Sequence, residues 1–589
     1  MSPPANGEPR YGSDLIADLL KTFDVEYAAL NPGATFRGLH DSIVNYGGNT
    51  RPEIIQCCHE EIAVAVAHGY GKAKGRPMAA IVHDLVGLLH ATMAVYIAWL
   101  DRAPVLVLGA TGPMAVEKRR PWIDWIHTAL VQGQAVRDYV KWDDQPASLP
   151  SIVESFIRGH RITMTEPRGP VYLCFDAALQ EQRLDDGVAI PAIGRFAPPS
   201  PVQGDPEALA TAARWLMEAA HPVVLADYVG RSAGGVEALV ELAELLALPV
   251  IDLGSRFNFP NTHPLDLTGA EEELLPQADL VLALDVFDLQ KALGSVDRTS
   301  RLGRSNVRDG TKIIHISLND LAGRAWSQDY GRLQPVDLAI AADTAVALAE
   351  LTRLCRALVE RDGNRGLRHH GPDPALEAIR QRVRDRWRER AEGTRDARPI
   401  SFPRLAADLW EVVKDEDWVL VNRTLRGWAR RLWDWTSPSQ YVGALMGGGV
   451  GYGIGHAMGA ALAYRGTSKL CIDIQPDGDL LYTPSGLWTA AHHRIPLLVV
   501  MFNNRSYYND EDHQILMAKA RGRPVENAHI GLRLDDPPVD FAGLARSLGI
   551  HAEGPIEDPI ELGPALMRAV RHVKRERQPA LVDVITQSR

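Results

Sequence analysis

The feature that most constrains this chain is the alternation of short apolar runs with longer helix-prone stretches. In the first part of the chain, Ala79-Ala80-Ile81-Val82, the run from Pro104 to Leu108 and Val171-Tyr172-Leu173 alternate with stretches such as Asp14 to Phe23. The middle part repeats the pattern with Pro222-Val223-Val224-Leu225, Pro249-Val250-Ile251, Leu280 to Leu284 and Lys312 to Ile316. The last part does so with Trp418-Val419-Leu420-Val421, Leu470 to Ile474, Pro496 to Phe502 and Ala580 to Ile585. A strand that is apolar at nearly every residue is covered on both faces, and strands separated by helices pair in parallel. The predicted fold class is therefore α/β, with three doubly wound parallel-sheet domains at residues 1–195, 202–353 and 399–589. The proline-rich stretch Phe196-Ala197-Pro198-Pro199-Ser200-Pro201 reads as a linker between the first two. Residues 354–398 read as a helical linker, in which Arg380, Arg382, Arg384, Arg386, Arg388 and Arg390 form a solvated face.

A length of 589 residues accommodates this many domains. The formal net charge of -11 gives no reason to expect a nucleic-acid partner. No unbroken apolar run approaches the roughly 20 residues that span a bilayer, so no membrane association is expected. The leading residues, MSPPANGEPRYGSD, lack a charged-then-apolar signal pattern. The five cysteines, Cys57, Cys58, Cys174, Cys355 and Cys471, contain no CxxC pair, which suits reduced thiols and a cytoplasmic location.

The most specific motif lies in the third domain. The expected strand Leu470 to Ile474 runs into Gln475-Pro476-Asp477-Gly478-Asp479, and the next strand ends in Asn503-Asn504. Both lie at carboxyl ends of neighbouring strands, where open α/β sheets bind ligands. Magnesium takes hard oxygen ligands and commonly binds one or two carboxylates together with phosphate oxygens. Asp477, the Asn504 amide oxygen and a backbone carbonyl near Ser506 are the candidate ligands. Taken alone, an Asp-Gly turn needs no ligand at all.

Twenty-four residues separate Gly478 from Asn503, and this pattern resembles the metal and diphosphate motif of thiamine-diphosphate (ThDP) enzymes. With the helix Ser485-Gly486-Leu487-Trp488-Thr489-Ala490-Ala491, the chain resembles the ThDP-dependent decarboxylase and carboligase superfamily that includes benzoylformate decarboxylase and acetolactate synthase. The resemblance extends over most of the chain, with strong motifs in the first and third domains. It implies a pyrimidine-binding, a middle and a diphosphate-binding domain, and ThDP and Mg2+ as cofactors. In two places the chain departs from the family pattern: Pro476 stands for the first glycine, and Asp479 for a small residue. A carboxylate at 479 is expected to repel a diphosphate unless a cation compensates it.

The same resemblance assigns further positions. Cys58-His59-Glu60-Glu61-Ile62-Ala63, followed by Gly69-Tyr70, resembles the helix whose glutamate hydrogen-bonds the aminopyrimidine ring so that the thiazolium C2 proton can be removed; its spacing selects Glu60. Gly448 and Val450, within Gly447 to Gly453, match the glycine-rich cradle that holds and bends the cofactor. Gly478 and Asp479, together with Thr424 and Leu425, fall where the diphosphate binds, and Asn31, Pro32 and Gly33 match an active-site loop whose serine is Ala34 here. His83 aligns with a catalytic histidine and suits proton transfer near neutrality, or it is a packed histidine satisfying a loop carbonyl. Glu511 and His513 follow the metal motif closely, either as acid–base groups on a substrate lid or as part of a solvated helix start. The family analogy admits FAD in the middle domain, but Gly230-Arg231-Ser232-Ala233-Gly234-Gly235 is too loose to support it. The implied reaction makes or breaks a carbon–carbon bond beside a carbonyl in a small 2-oxo acid, hydroxyketone or acyl substrate. A 2-oxo acid decarboxylase or lyase is the first expectation, an acetolactate-synthase-like carboligase the second, and a non-catalytic ThDP-binding protein the third. In this family Glu60 and the Asp477 site that share one cofactor belong to different subunits, which implies a homodimer or homotetramer.

Overall fold

The computed structural model describes residues 8–120, 123–184, 188–300, 302–322, 332–361 and 374–588. The leading residues 1–7 of the segment read for a signal pattern, and 362–373 of the expected linker, lie outside them.

Three parallel sheets organise the chain, as the apolar alternation requires. The first contains β1 (Tyr27–Leu30), β2 (Glu53–Gln56), β3 (Met78–Ile81), β4 (Val105–Thr111), β5 (Trp142–Asp144) and β6 (Val171–Asp176), in the order β2-β1-β3-β4-β6-β5. The second is built from β7 (Pro222–Ala226), β8 (Val250–Asp252), β9 (Leu280–Leu284), then β12 (Lys312–Ser317) and β13 (Leu338–Ala341), ordered β13-β12-β9-β7-β8. Between β9 and β12 runs a small antiparallel ribbon of β10 (Gly294–Val296) and β11 (Gly303–Ser305). The third sheet contains β14 (Trp418–Leu420), β15 (Leu470–Pro476), β16 (Leu498–Asn503), β17 (His551–Ile556) and β18 (Ala580–Ile585), in the order β14-β15-β16-β18-β17. Every residue of β3, β4 and β6 is buried, as are those of β7, β9, β16 and β18, which explains their unbroken apolar character.

The expected boundary at residue 353 falls inside the helix Thr344–Arg361, which packs into the core of the middle domain through Leu348, Leu351 and Cys355. In the arginine-rich helix Pro374–Glu392, Arg382, Arg386, Arg388 and Arg390 are exposed, as a solvated face requires, while Arg380 and Arg384 are half-buried. Arg380 and Arg384 donate to the Asn261 carbonyl, and Arg382 pairs with Glu273 at 2.7 Å. That face of the helix is a clasp on the middle domain.

The first and third domains meet along two small-residue helices, Glu60–Lys74 and Gly453–Ala463. A Cβ on Gly69 would lie 1.9 Å from the His456 carbonyl oxygen, and one on Gly459 the same distance from the Val66 carbonyl oxygen. Only glycine permits backbones to approach this closely. The seam places the amino ends of both helices, and the loops that precede them, beside the third domain's strand ends.

Candidate active site

The metal motif takes its shape from the ends of β15 and β16, which pair in register through Pro476 and Phe502. Pro476 closes β15 in extended conformation and precedes the short helix Asp477–Tyr482. A proline is tolerated there, because the first turn of a helix has no intrahelical partner for its N–H. Asp477 is 2% exposed and its Oδ2 has no hydrogen-bond partner among the described residues. Burial pushes its carboxyl up to about 6, against the pull of backbone amides at Gly478, Arg505 and Ser506. Asn504 is half-buried, and its Oδ1 accepts the Ser506 amide at 3.0 Å. Arg505 between them has φ 54°, a left-handed turn that brings residues 504 and 506 together. A buried carboxylate oxygen without a partner, beside an amide oxygen, suits a hard divalent cation. The residues present therefore fit magnesium. The Ser506 hydroxyl itself points elsewhere, donating to Glu511 at 2.7 Å.

Asp479 does not stand free to repel an anion. It is 2% exposed, and its two oxygens accept the Gly451 amide at 2.9 Å, the Gly453 amide at 3.0 Å and the Gln475 side chain at 2.8 Å. The Arg423 guanidinium lies 3.5 Å away. The carboxylate thus fixes the glycine-rich loop to the strand end, which is a positioning task. In that loop Gly447, Gly448 and Gly451 have φ of 82°, 64° and 94°, and a Cβ on Gly448 would meet nothing within 4 Å, leaving an open floor for a ligand. Val450, in the same loop, is 37% exposed. Gly478 is constrained differently: a Cβ there would lie 2.5 Å from the Tyr507 ring.

Thr424, Leu425, Arg426 and Gly427 form a tight turn in which the last three residues all have positive φ. The Thr424 hydroxyl accepts the Gly427 amide at 3.2 Å. Leu425 is 1% exposed and belongs to the hydrophobic core beside Trp428, so its side chain faces away from any diphosphate. Glu511 also differs from a free acid–base group. It is 6% exposed and held between the Ser506 hydroxyl and the Arg533 guanidinium, 3.3 Å away. His513 lies on the same helix, Tyr508–Ala520, and is half-buried.

In the first domain Glu60 opens the helix Glu60–Lys74 and is 6% exposed. Its Oε2 lies 2.9 Å from His90 Nδ1. Burial favours the neutral carboxyl, but the hydrogen bonds from His90 and Asn31 outweigh it and hold Glu60 below its ordinary value. Asn31 thereby ties the loop after β1 to Glu60. Glu61 turns the other way, and burial with the nearby Asp479 pushes its carboxyl up to about 7.

His83 caps the helix Asp84–Leu100 and is 8% exposed. Its Nδ1 is 2.9 Å from the Thr35 hydroxyl, and its Nε2 is 3.3 Å from His127 Nδ1. The Asp84 backbone, with φ 51°, makes the turn that presents His83; non-glycine residues in this region cluster at functional sites. Gly33 allows the approach of the Asn31-to-Thr35 loop, since a Cβ there would lie 2.1 Å from His83 Cβ. Thr35 therefore supplies a hydroxyl next to the position where the family's serine is Ala34. Its adjacency to Ala34 was a usable sequence signal. His90 closes the stretch that begins at Ile81 and carries His83, whereas His127 sits in no motif and reaches the site only through the fold.

The middle domain's strand ends offer a different chemistry. Asp227 follows β7, Asp252 ends β8, Asp285 follows β9 and Asp343 follows β13. Arg102 and Arg231 reach Asp285 at 2.9 and 3.1 Å, Arg231 also meets Asp343 at 2.7 Å, and Arg430 meets Asp252 at 2.7 Å. This crevice is filled with ion pairs and does not fit a dinucleotide diphosphate.

The fold and these two half-sites define a thiamine-diphosphate enzyme. The chain belongs to the thiamine pyrophosphate enzyme family: residues 10–134 match its N-terminal TPP binding domain, 209–351 its central domain and 424–584 its C-terminal TPP binding domain. It is 25% identical to benzoylformate decarboxylase of Pseudomonas aeruginosa, over 90% of this chain and 91% of that protein. It is 23% identical to sulfoacetaldehyde acetyltransferase of Castellaniella defragrans, over 90% and 86%. A Methanocaldococcus jannaschii protein named "Probable acetolactate synthase large subunit" is 24% identical over 90% and 84%. Among solved structures, benzoylformate decarboxylase from Polynucleobacter necessarius superposes with a TM-score of 0.75 at 18% identity, covering 98% of this chain and 99% of that one. No helix among the described residues is long and apolar enough to cross a membrane.

Proposed function

We propose that this protein is a ThDP- and magnesium-dependent enzyme that cleaves or forms a carbon–carbon bond beside a carbonyl, acting as a 2-oxo acid decarboxylase or C–C lyase. The observation that carries this reading is the buried, partnerless Asp477 Oδ2 beside Asn504 at adjoining strand ends. When bound, the cofactor would supply a carbon acid that, once deprotonated, adds to carbonyls and then stabilises negative charge on the adjacent carbon. Asp477, Asn504 and the Ser506 backbone would hold the cation, while the open loop at Gly448 and Val450 would seat the heterocycle. Glu60 is the carboxyl placed to exchange a proton with the aminopyrimidine ring. His83, with Thr35 and His127 behind it, can give or take a proton at the substrate carbonyl oxygen.

The hydrogen-bond partners of Glu60, His90 and Asn31, belong to its own domain, whereas Glu61 is the carboxyl within reach of Asp479. The shared site is carried by the family resemblance, in which Glu60 serves the third domain of a second copy in a cytoplasmic homodimer or homotetramer. A carboligase remains the second reading, favoured by the similarity to acetyltransferase and acetolactate-synthase relatives. A non-catalytic ThDP-binding protein would not need a buried, oriented Glu60. The deciding experiment is a screen of 2-oxo acids, 2-hydroxyketones and 2-hydroxyacyl thioesters with ThDP and magnesium. Turnover of a 2-oxo acid with release of carbon dioxide supports the first reading, and turnover that requires two carbonyl substrates supports the second. ThDP binding without turnover of any class supports the third.

A further inference from the structure

Glu60 is held by a histidine of the neighbouring helix. His90 lies in the helix Asp84–Leu100, and its Nδ1 is 2.9 Å from Glu60 Oε2. Gly87 comes three residues earlier on that helix, and a Cβ there would be 3.2 Å from both Glu60 Cγ and Oε1. The glycine leaves room for the carboxylate, and the histidine fixes its far oxygen. The His90 ring stacks on His59, with centroids 4.9 Å apart and planes inclined by 21°. His59 is itself anchored, since its Nδ1 accepts the Glu61 amide at 3.1 Å and so caps the Glu60 helix. His90 is thus located by a ring on one side and a carboxylate on the other. Its side chain keeps 58% of its exposure, whereas that of Glu60 keeps 8%.

We propose that His90 is the positioning residue for Glu60: it grips Oε2, fixes the carboxyl rotamer and leaves Oε1 as the oxygen that meets the cofactor ring. This rests on the reading of Glu60 as the activating carboxyl. A charge-assisted hydrogen bond of this kind restrains the acceptor geometry and favours its ionised form. Asn31 assists from the opposite loop, and without His90 the carboxyl would rest on Asn31 and its own backbone amide.

Three variants test the proposal: His90→Ala, His90→Asn, which keeps a donor near the place of Nδ1, and Glu60→Gln. In the cofactor-free protein, carbon NMR of the Glu60 carboxyl should show protonation at higher pH in His90→Ala than in the parent. In the ThDP-loaded protein, His90→Ala should slow hydrogen–deuterium exchange at C2 by about tenfold or more while ThDP affinity stays nearly unchanged. His90→Asn, or imidazole added to His90→Ala, should restore part of the rate. An unchanged Glu60 titration, or wild-type exchange in His90→Ala while Glu60→Gln has lost exchange, overturns the role of His90 alone. Wild-type exchange in Glu60→Gln overturns the assignment of Glu60 itself.

Discussion

The Asp479 carboxylate accepts the Gly453 amide at 3.0 Å, so the residue that departs from the family's diphosphate motif is also the one that anchors the glycine-rich loop. Asp479→Ala leaves the Gly451 and Gly453 amides and the Gln475 side chain without their acceptor. Each buried donor left unsatisfied costs about 1–3 kcal/mol. The variant is expected to melt several degrees lower and to bind ThDP more weakly, by calorimetry and titration respectively. Unaltered melting would show that the loop holds its shape without this carboxylate.

Removing the cation should act through Asp477 and Asn504. Chelation is expected to abolish activity, and magnesium with ThDP to restore it. Asp477→Ala and Asn504→Ala should each weaken magnesium-dependent ThDP binding by about tenfold or more, which equals 1.4 kcal/mol. Isothermal titration with and without magnesium makes the comparison, and equal affinities in both variants would remove the metal assignment.

Glu60→Gln should fold and still bind ThDP, because the substitution keeps the volume and one acceptor oxygen. Loss of a single acid–base group typically lowers a rate by about a hundred- to ten-thousand-fold, and C2 exchange should fall within that range. Circular dichroism checks the fold and NMR the exchange.

His83→Ala should lower kcat far more than it weakens ThDP binding, since His83 belongs to the first-domain loop cluster rather than to the metal motif. Thr35→Val should reproduce part of that loss by removing the hydroxyl 2.9 Å from His83 Nδ1. Glu511→Gln is expected to lower thermal stability, because it weakens the contact with Arg533. His513→Ala should change substrate preference with little change in melting. Steady-state kinetics and thermal melts on the four variants separate these effects.

Two buried carboxyls should erode the stability of the cofactor-free protein as pH rises from about 4 to 7. Burial pushes Asp473 and Asp266 each up to about 7, so the folded state keeps protons that the unfolded state has already released. Stability from such groups is full at lower pH and is lost as pH rises through the folded value. His160 and His493, which burial lowers to about 4, oppose this trend up to about pH 6.5, because there the unfolded chain binds the protons that the folded one refuses. Asp473→Asn, a mimic of the protonated form, should flatten the decline. An Asp473→Asn variant whose melting temperature follows the parent's pH dependence from pH 4 to 7 contradicts this account.

The parts of the fold that were legible in sequence are the central strands. Leu280 to Leu284 and Ala580 to Ile585 are buried on both faces and spell that out residue by residue. Edge strands such as Glu53–Gln56 and Trp142–Asp144 have one neighbour each and mix charged with apolar residues, so no run marks them. The site divides in the same way. Asp477, Asn504 and Glu60 stand in local patterns whose spacing carries meaning. The grip of His90 on Glu60 and of Asp479 on Gly453 joins separate segments, and no spacing rule registers such contacts. Leu425 shows the converse: a plausible position along the chain became a core position, because the turn at Leu425 to Gly427 directs its side chain inward.

The glycine seam between the helices Glu60–Lys74 and Gly453–Ala463 has an evolutionary consequence. At Gly69 and Gly459 backbone meets backbone, so any side chain added there would push the two helices apart and change the angle between the outer domains. Adaptation to a new substrate that keeps this angle proceeds through the loops around the seam, at Asn31 to Thr35, His83 to His90 and Asn504 to His513. A library confined to those loops would explore specificity while inheriting an unchanged catalytic frame.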